Sequence, residues 1–190
     1  MSNICFGEGD ALYERYHDEE WGRPVRDERG LYEKLCLEAF QSGLAWITIL
    51  RKRDTFRSAF ANFDPEAVAR FGKRDVNRLL NDAGIVRNRL KVDAAIANAK
   101  ATVALRDGPK ALPELVWDHA PPNRRAPRSW ADVAPLTPES TALSKELKRQ
   151  GFRFVGPTTA YALMQACGLV NDHLAGCRVR ADVERARKAG

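Results

Sequence analysis

"KELKRQGFRFVGPTTAYALMQACG", Lys145–Gly168, is the stretch on which the reading of the fold turns. A helix carrying Lys145, Lys148 and Arg149 is punctuated by Gly151. Gly156-Pro157 then opens a second helix, with proline at the first helical position, where its missing N–H has no intrahelical role. The pattern is helix, short glycine-bounded loop, helix. Backbone N–H groups at the start of the second helix lack intrahelical partners and can donate to a phosphate oxygen. Thr158 and Thr159 add hydroxyls there, and Lys148 and Arg153 add charge. Contacts of this kind hold a nucleic-acid backbone without reading its sequence. The same pattern is also an ordinary turn between two core helices, and glycine spacing alone does not choose between the two.

Outward from this hairpin, the chain reads as helical throughout. Glu28 to Gln41 places Leu31, Leu35 and Ala39 on one face. "DALYERYHDEEWG" holds a short amphipathic helix ended by Gly22, and "LAWITILRKRDTFRSAFANF" a longer one. Asp64-Pro65 starts a short helix, "RDVNRLLNDAG" predicts another with Gly84 as its C-cap, and "VRNRLKVDAAIANAKATVALRD" is long and Ala-rich. Short helices over "LPELVWDH" and from Thr137-Pro138 flank a Pro- and Arg-rich linker, "APPNRRAPRSWADVAP". No segment alternates as a strand does, and nothing repeats, so the fold class is all-α.

The 190 residues suffice for one domain with its own core. A net charge of +6 favours anionic partners, nucleic acid among them. No run nears the ~18 apolar residues of a membrane span and no leader peptide precedes the first helix, so the expected location is cytoplasmic. In that setting the four cysteines read as thiols or metal ligands rather than disulfides.

The two ends of the chain carry candidate metal ligands. Cys5 and His17 have C-x11-H spacing, and His173 and Cys177 have H-x3-C spacing. Tetrahedral zinc takes four such ligands, and a metal joining two loose termini would anchor both. C-x11-H is not a usual finger spacing, and capping or surface histidines are the plain alternative. Cys36 and Cys167 lie in apolar segments and read as small core residues.

Glu38 borders the apolar stripe of its helix, where a carboxylate is costly unless it meets a donor. Tyr13, Tyr16, Trp21 and Trp46 lie close in sequence. An aromatic pocket with one carboxylate suits a flat ligand bearing amino groups, such as a purine. A core in which Glu38 pairs with an arginine fits the same residues. An N3-alkylated base is cationic, stacks well on electron-rich rings and is a good leaving group, so a pocket that binds it and admits water is sufficient.

Several blocks, in order, carry a resemblance: "YERYHDEEWG", "LCLEAFQSGLAWITILRKR", "LLNDAGIVRNRLK", "GFRFVGPTTAYALMQACGLVNDH" and the Cys/His ends. From Cys5 to about Cys177 the chain closely resembles the bacterial DNA-3-methyladenine glycosylase I family, of the helix-hairpin-helix DNA glycosylase superfamily. The resemblance implies a two-lobed all-α glycosylase fold in a single unit spanning residues 1–190. A zinc-bearing lobe would draw on about 1–30 and 168–180, a helical region 31–167 would contain the hairpin 145–166, and 178–190 would be a charged, solvated tail. It implies one structural Zn2+ on Cys5, His17, His173 and Cys177. It implies catalysis by Glu38 and Tyr16, and base contacts from Tyr13, Trp21, Trp46 and Phe6. Gly43 and Leu44 would probe the DNA stack, and Lys148, Gly151, Arg153, Gly156, Thr158 and Thr159 would hold the backbone.

The implied partner is alkylated duplex DNA, with no membrane and no obligate protein partner. The implied reaction is hydrolysis of the glycosidic bond of 3-methyladenine, without lyase chemistry. Phe6 departs from the family's tryptophan and loses an indole N–H, which keeps a shifted alkylpurine preference open. A non-catalytic DNA-binding module and a protein-binding helical domain are the competing classes. Where related glycosylases keep a catalytic aspartate, this chain places Asn171, with Asp172 beside it, and the resemblance does not make Asp172 a catalyst.

Overall fold

The computed structural model describes residues 3–122 and 124–189. Met1, Ser2, Gly190 and Asn123 of the Pro/Arg-rich linker lie outside the described residues. Ten α-helices follow one another: α1 Ala11–Glu19, α2 Glu28–Gln41, α3 Trp46–Ala59, α4 Pro65–Ala69, α5 Lys73–Asn81, α6 Arg89–Leu105, α7 Leu112–Trp117, α8 Pro138–Arg149, α9 Pro157–Ala166 and α10 Arg180–Ala189. No strand occurs among the described residues, and no helix is long and apolar enough to cross a membrane.

Local sequence sets most helix starts. Asp10, Asp27, Asp64, Asn88 and Thr137 each accept a backbone N–H from the first turn of α1, α2, α4, α6 and α8. Two long helices start without a side-chain cap, α3 after Ala45 and α9 after Gly156. Their orphan N–H groups stay free for another partner.

α2 is the central helix. Leu31 to Phe40 is buried on nearly every side, and the helix packs against α3, α6, α7 and α9. Phe40, Phe56, Phe60 and Phe63 form a stacked cluster beside it. That cluster stabilises a left-handed turn over Ala61, Asn62 and Phe63, with φ of 51°, 52° and 52°, a conformation costly for L residues. The buried Phe63 ring lies parallel to Phe60 at 5.6 Å and offsets that cost.

Two local expectations are corrected. Gly84 does not cap α5, which ends at Asn81 with Asp82 as its cap. A Cβ on Gly84 would lie 3.0 Å from Thr55 Cβ, and Thr55 Oγ1 donates to the Gly84 carbonyl at 2.6 Å. Close approach to α3, not helix termination, requires the glycine. The charged tail is likewise not a solvated end, because 180–189 forms α10 and docks. Val183 is fully buried, and Arg187 donates to the carbonyls of Gly168 and Leu169 at 2.7 and 2.9 Å. Glu184 accepts from Asn171 Nδ2 at 3.0 Å. One apolar residue per helix is too sparse a pattern for periodicity to detect.

Docking of α10 predicts that Val183→Ala lowers stability by about 2 kcal/mol in urea denaturation. An unchanged midpoint would mean that the tail contributes nothing to the fold.

Candidate active site and metal-ligating cluster

One cavity of about 140 Å3 gathers every predicted base-contacting residue: Phe6, Tyr13, Tyr16, Trp21, Glu38 and Trp46. Tyr13 and Tyr16 share one face of α1, Glu38 comes from the last turn of α2, and Trp46 is the first residue of α3. The rings pack edge-on and tilted. Phe6 lies 5.0 Å from both Tyr13 and Trp21, and Tyr16 lies 5.3 Å from Trp46.

Four further wall residues escaped the sequence reading: Gln41, Trp130, Ala162 and Gln165. Gln41 repeats the Glu38 face one turn on, and Ala162 and Gln165 share a face of α9, so helical spacing from a known site residue would have found three of them. Trp130 sits in the linker. Its indole donates to the Cys5 carbonyl at 3.1 Å, which brings the linker back to the N-terminus.

Two polar groups of the cavity, the Glu38 carboxylate and the Trp46 indole N–H, lack hydrogen-bond partners among the described residues. Among the described residues no donor reaches the Glu38 carboxylate, although only 6% of this residue is exposed. Burial pushes its acid up to about 7, against a smaller downward pull from Lys34. Trp46 Nε1 is buried without an acceptor. Burial raises the Tyr16 phenol well above its usual value, reinforced by Glu38 and Glu20, so it stays protonated as a donor. Beneath the cavity, Lys34 Nζ lies 5.0 Å from the Tyr16 ring and 3.4 Å from Glu20, which Arg53 grips at 2.5 and 2.8 Å. Lys34 is thus shared with Glu20 and does not fully compensate Glu38.

The chain ends meet beside this cavity. Cys5, His17 and Cys177 place their ligating atoms within 4.8 Å of one another. His173 stands next to them, its ring 4.9 Å from that of His17. The donor chemistry fits a metal. His17 Nδ1 pairs with Asp18 Oδ1 at 2.7 Å, which turns the Nε2 lone pair toward the cluster, where it accepts the Cys5 N–H at 3.3 Å and lies 3.4 Å from Cys177 Sγ. Leu174 N–H donates to Cys5 Sγ at 3.2 Å. Asn171 spends its Nδ2 on Glu184 and the Arg180 carbonyl, so its Oδ1 faces His173 Nδ1 at 3.1 Å. His173 Nε2 then faces the His17 carbonyl at 3.4 Å. Burial holds His173 down to about 4, so the ring is neutral and has one N–H for two acceptors. A cation at Nε2 resolves that conflict. Asn171 therefore orients a candidate ligand.

The cluster and the cavity share walls. The Phe6 ring meets His17 edge-on at 4.9 Å, and Trp21 meets His173 at 4.6 Å.

The hairpin forms as expected from α8 and α9. Gly151 has φ +92°, and Lys148, Gly151, Arg153 and Thr158 are exposed while Gly156 and Thr159 are half-buried. Ser144 Oγ donates to the Val155 carbonyl at 2.5 Å, and buried Asn98 holds Arg153 through both backbone groups, at 2.7 and 3.2 Å. Gly43, with φ +81°, turns the chain between α2 and α3, and leaves Leu44 42% exposed. Lys91 supports this turn by donating to the Phe40 and Ser42 carbonyls at 2.8 and 2.6 Å. Asp172 accepts from Tyr161 and Gln165.

The family model for methyladenine glycosylases matches residues 6–181. The chain is 47% identical to the DNA-3-methyladenine glycosylase 1 of Escherichia coli over 171 residues, 88% of this chain and 91% of that protein. It is 42% identical to the DNA-3-methyladenine glycosylase of Haemophilus influenzae over 181 residues, 93% of this chain and 97% of that one. A crystal structure of a 3-methyladenine DNA glycosylase I superposes with a TM-score of 0.90 at 44% identity, covering 93% of this chain and 98% of its own. An all-helical hairpin fold, an aromatic cavity with a buried carboxylate, and similarity along nearly the full chain agree: the protein belongs to the methyladenine glycosylase family.

Proposed function

We propose that the protein releases 3-methyladenine from alkylated duplex DNA by hydrolysing its N-glycosidic bond, leaving free base and an abasic site. The observation that carries this reading is the Glu38 carboxylate, buried at an aromatic cavity with no protein donor. The named activity of the relatives supports it. The site of action is the cytoplasm, where the DNA of such bacterial relatives lies.

The hairpin grips backbone phosphates through the free N–H groups of α9, with Lys148, Arg153, Thr158 and Thr159 around them. Leu44 fills the stack when the damaged nucleotide flips into the cavity. A base alkylated at N3 carries positive charge, which the faces of Trp46, Trp21, Tyr13 and Phe6 attract and Glu38 neutralises. Normal bases are neutral and gain neither interaction. Tyr16 donates its phenolic hydrogen to a ring acceptor. As the bond breaks, its electron pair goes to the base nitrogen and the base leaves neutral. Water bonds to the sugar carbon and loses a proton to solvent. Lys34, the buried amine nearest the cavity, pairs with Glu20 and does not line it, so no Schiff base and no strand cleavage are assigned.

A zinc ion held by Cys5, His17, His173 and Cys177 would join the termini and hold the Phe6 and Trp21 walls in place. It has no part in bond cleavage.

The activity is tested by chromatography of bases released from methylated duplex. A protein that binds damaged and undamaged duplex alike and frees no base is a DNA-binding module instead. Glu38→Gln lowers kcat/KM by about 10- to 100-fold, the range for a hydrogen bond to a charged group. In the parent protein kcat/KM falls as pH drops below about 7, because Glu38 protonates, and Glu38→Gln flattens that limb. Stability moves oppositely. With the acid raised from 4.5 to about 7, the folded state binds the proton more tightly and loses stability as pH rises between those values. Glu38→Gln is therefore more stable than the parent at pH 8, by ~3 kcal/mol, and the gain vanishes near pH 4.

Metal analysis of the purified protein is expected to give one zinc per chain. Cys177→Ala loses the metal, melts lower and binds free 3-methyladenine more weakly. Fully folded, active protein without zinc would falsify the structural role.

A further inference from the structure

Asp172 lies next to a candidate metal ligand and in the region where related glycosylases keep a catalyst, yet the reaction above gives it no task. Its surroundings supply one. Asp172 Oδ2 accepts from Tyr161 Oη at 2.6 Å and from Gln165 Nε2 at 2.8 Å. Tyr161 and Gln165 both project from α9, one turn apart, and Gln165 with Ala162 lines the base cavity. Tyr161 and Asp172 also line a neighbouring cleft of about 420 Å3 with Arg124, Arg125 and Arg128. The pair Asp172–Gln165 is therefore the wall between that cleft and the cavity.

The bond to Asp172 determines how the Gln165 amide is oriented. A flipped amide would set its oxygen against a carboxylate oxygen at 2.8 Å, acceptor against acceptor. With one Nε2 hydrogen on Asp172, Oε1 is the heavy atom of the amide left without a protein partner among the described residues, and it only accepts, while Nε2 keeps one further hydrogen. Purines differ in what they show such an atom: adenine carries a 6-amino donor and guanine a 6-oxo acceptor. Glu38 cannot make this distinction firmly alone, because a protonated carboxyl can donate as well as accept. A carboxylate on Nε2 fixes which end of the amide is oxygen and which is nitrogen, so Oε1 stays an acceptor.

We propose that Gln165 is a specificity-determining residue that selects 6-amino over 6-oxo purines, and that Asp172 is the positioning residue that locks its amide, with Tyr161 holding Asp172. This rests on the glycosylase reading and deepens it. A site built to hydrogen-bond a substrate N–H discriminates strongly against an analogue without it, since the buried acceptor is then left unpaired.

The test compares kcat/KM for release of 3-methyladenine and of 3-methylguanine from methylated duplex, for the parent, Gln165→Leu, Asp172→Asn, Tyr161→Phe and the double variant Gln165→Leu/Asp172→Asn. Zinc content and melting temperature are measured alongside, because Asp172 adjoins His173. Gln165→Leu and Asp172→Asn are each expected to narrow the ratio between the two bases about tenfold, roughly 1.4 kcal/mol. Tyr161→Phe narrows it less, and Asp172→Asn changes nothing further once Gln165 is leucine. Gln165→Leu with the parent ratio overturns the proposal for Gln165. Equal effects of Asp172→Asn with and without Gln165 overturn the positioning role. If Asp172→Asn loses zinc or fold, Tyr161→Phe decides that role, and a parent ratio there overturns it. A parent protein that frees neither base overturns the glycosylase reading itself, which separates the two failures.

Discussion

The meeting of the chain ends at Cys5, His17, His173 and Cys177 is the constraint on which the site depends. Each of these residues is a short step from a cavity wall. Phe6 follows Cys5, Tyr16 precedes His17, and the Trp21 ring lies on His173. Closing a loop of this length costs chain entropy that local interactions recover poorly. Among the described residues the backbone ties between the ends are single contacts: Arg178 N–H to the Asn3 carbonyl, Val25 N–H to the Cys167 carbonyl, Leu174 N–H to Cys5 Sγ, and His173 Nε2 facing the His17 carbonyl. The Arg178–Asp18 ion pair at 2.6 Å is exposed enough to contribute little. The proposed zinc would supply what these contacts lack. It would brace an aromatic wall whose Tyr16, Trp21 and Trp46 already belong to the hydrophobic core, with Phe6 and Tyr13 packed against it.

Glu38 shows the opposite economy, a group kept without its partner. A buried carboxylate is ordinarily neutralised by an adjacent cation. Lys34 is one turn away on the same helix, but Glu20 and Arg53 engage it in a chain of alternating charge. Two charges on that chain are satisfied by each other, and Glu38 is left to titrate near neutrality. On the proposed reading, a cationic base would supply the charge partner that the desolvated Glu38 carboxylate lacks. Selectivity for alkylated bases follows from this directly, because an uncharged base leaves the desolvated carboxylate uncompensated.

Much of this was legible in the sequence where spacing carries the signal. Glu28 to Gln41 reads as a helix by its Leu31, Leu35, Ala39 stripe and forms one over those residues. Asp64-Pro65 and Thr137-Pro138 act as the helix starts their chemistry dictates. Glu38 stands out as an acid at the edge of an apolar face. Gly84, α10 and Trp130 were not legible, for a common reason: each is determined by a partner distant in sequence. Gly84 answers to Thr55, Val183 packs near Gly22, and Trp130 reaches Cys5. Periodicity reports what a segment does on its own surface and is silent on what crosses to it. Gln165 is legible as a wall residue from its spacing with Ala162 on α9, whereas its bond to Asp172 beyond the end of that helix is not.

The two loops proposed to face DNA are set by one helix. Lys91 and Asn98 lie seven residues apart on α6, two turns along one face, and both are buried. Lys91 fixes the turn that carries Leu44, and Asn98 fixes the hairpin loop at Arg153. Lys91 has no carboxylate partner, and its ammonium instead sits on the carbonyls that end α2, where the helix dipole favours positive charge. α2 also carries Glu38 in its last turn, so the turn that would enter the stack and the carboxylate that would receive the base are consecutive parts of one rigid element. The spacing between the hairpin loop, Leu44 and the cavity is therefore built into the packing of α6 on α2.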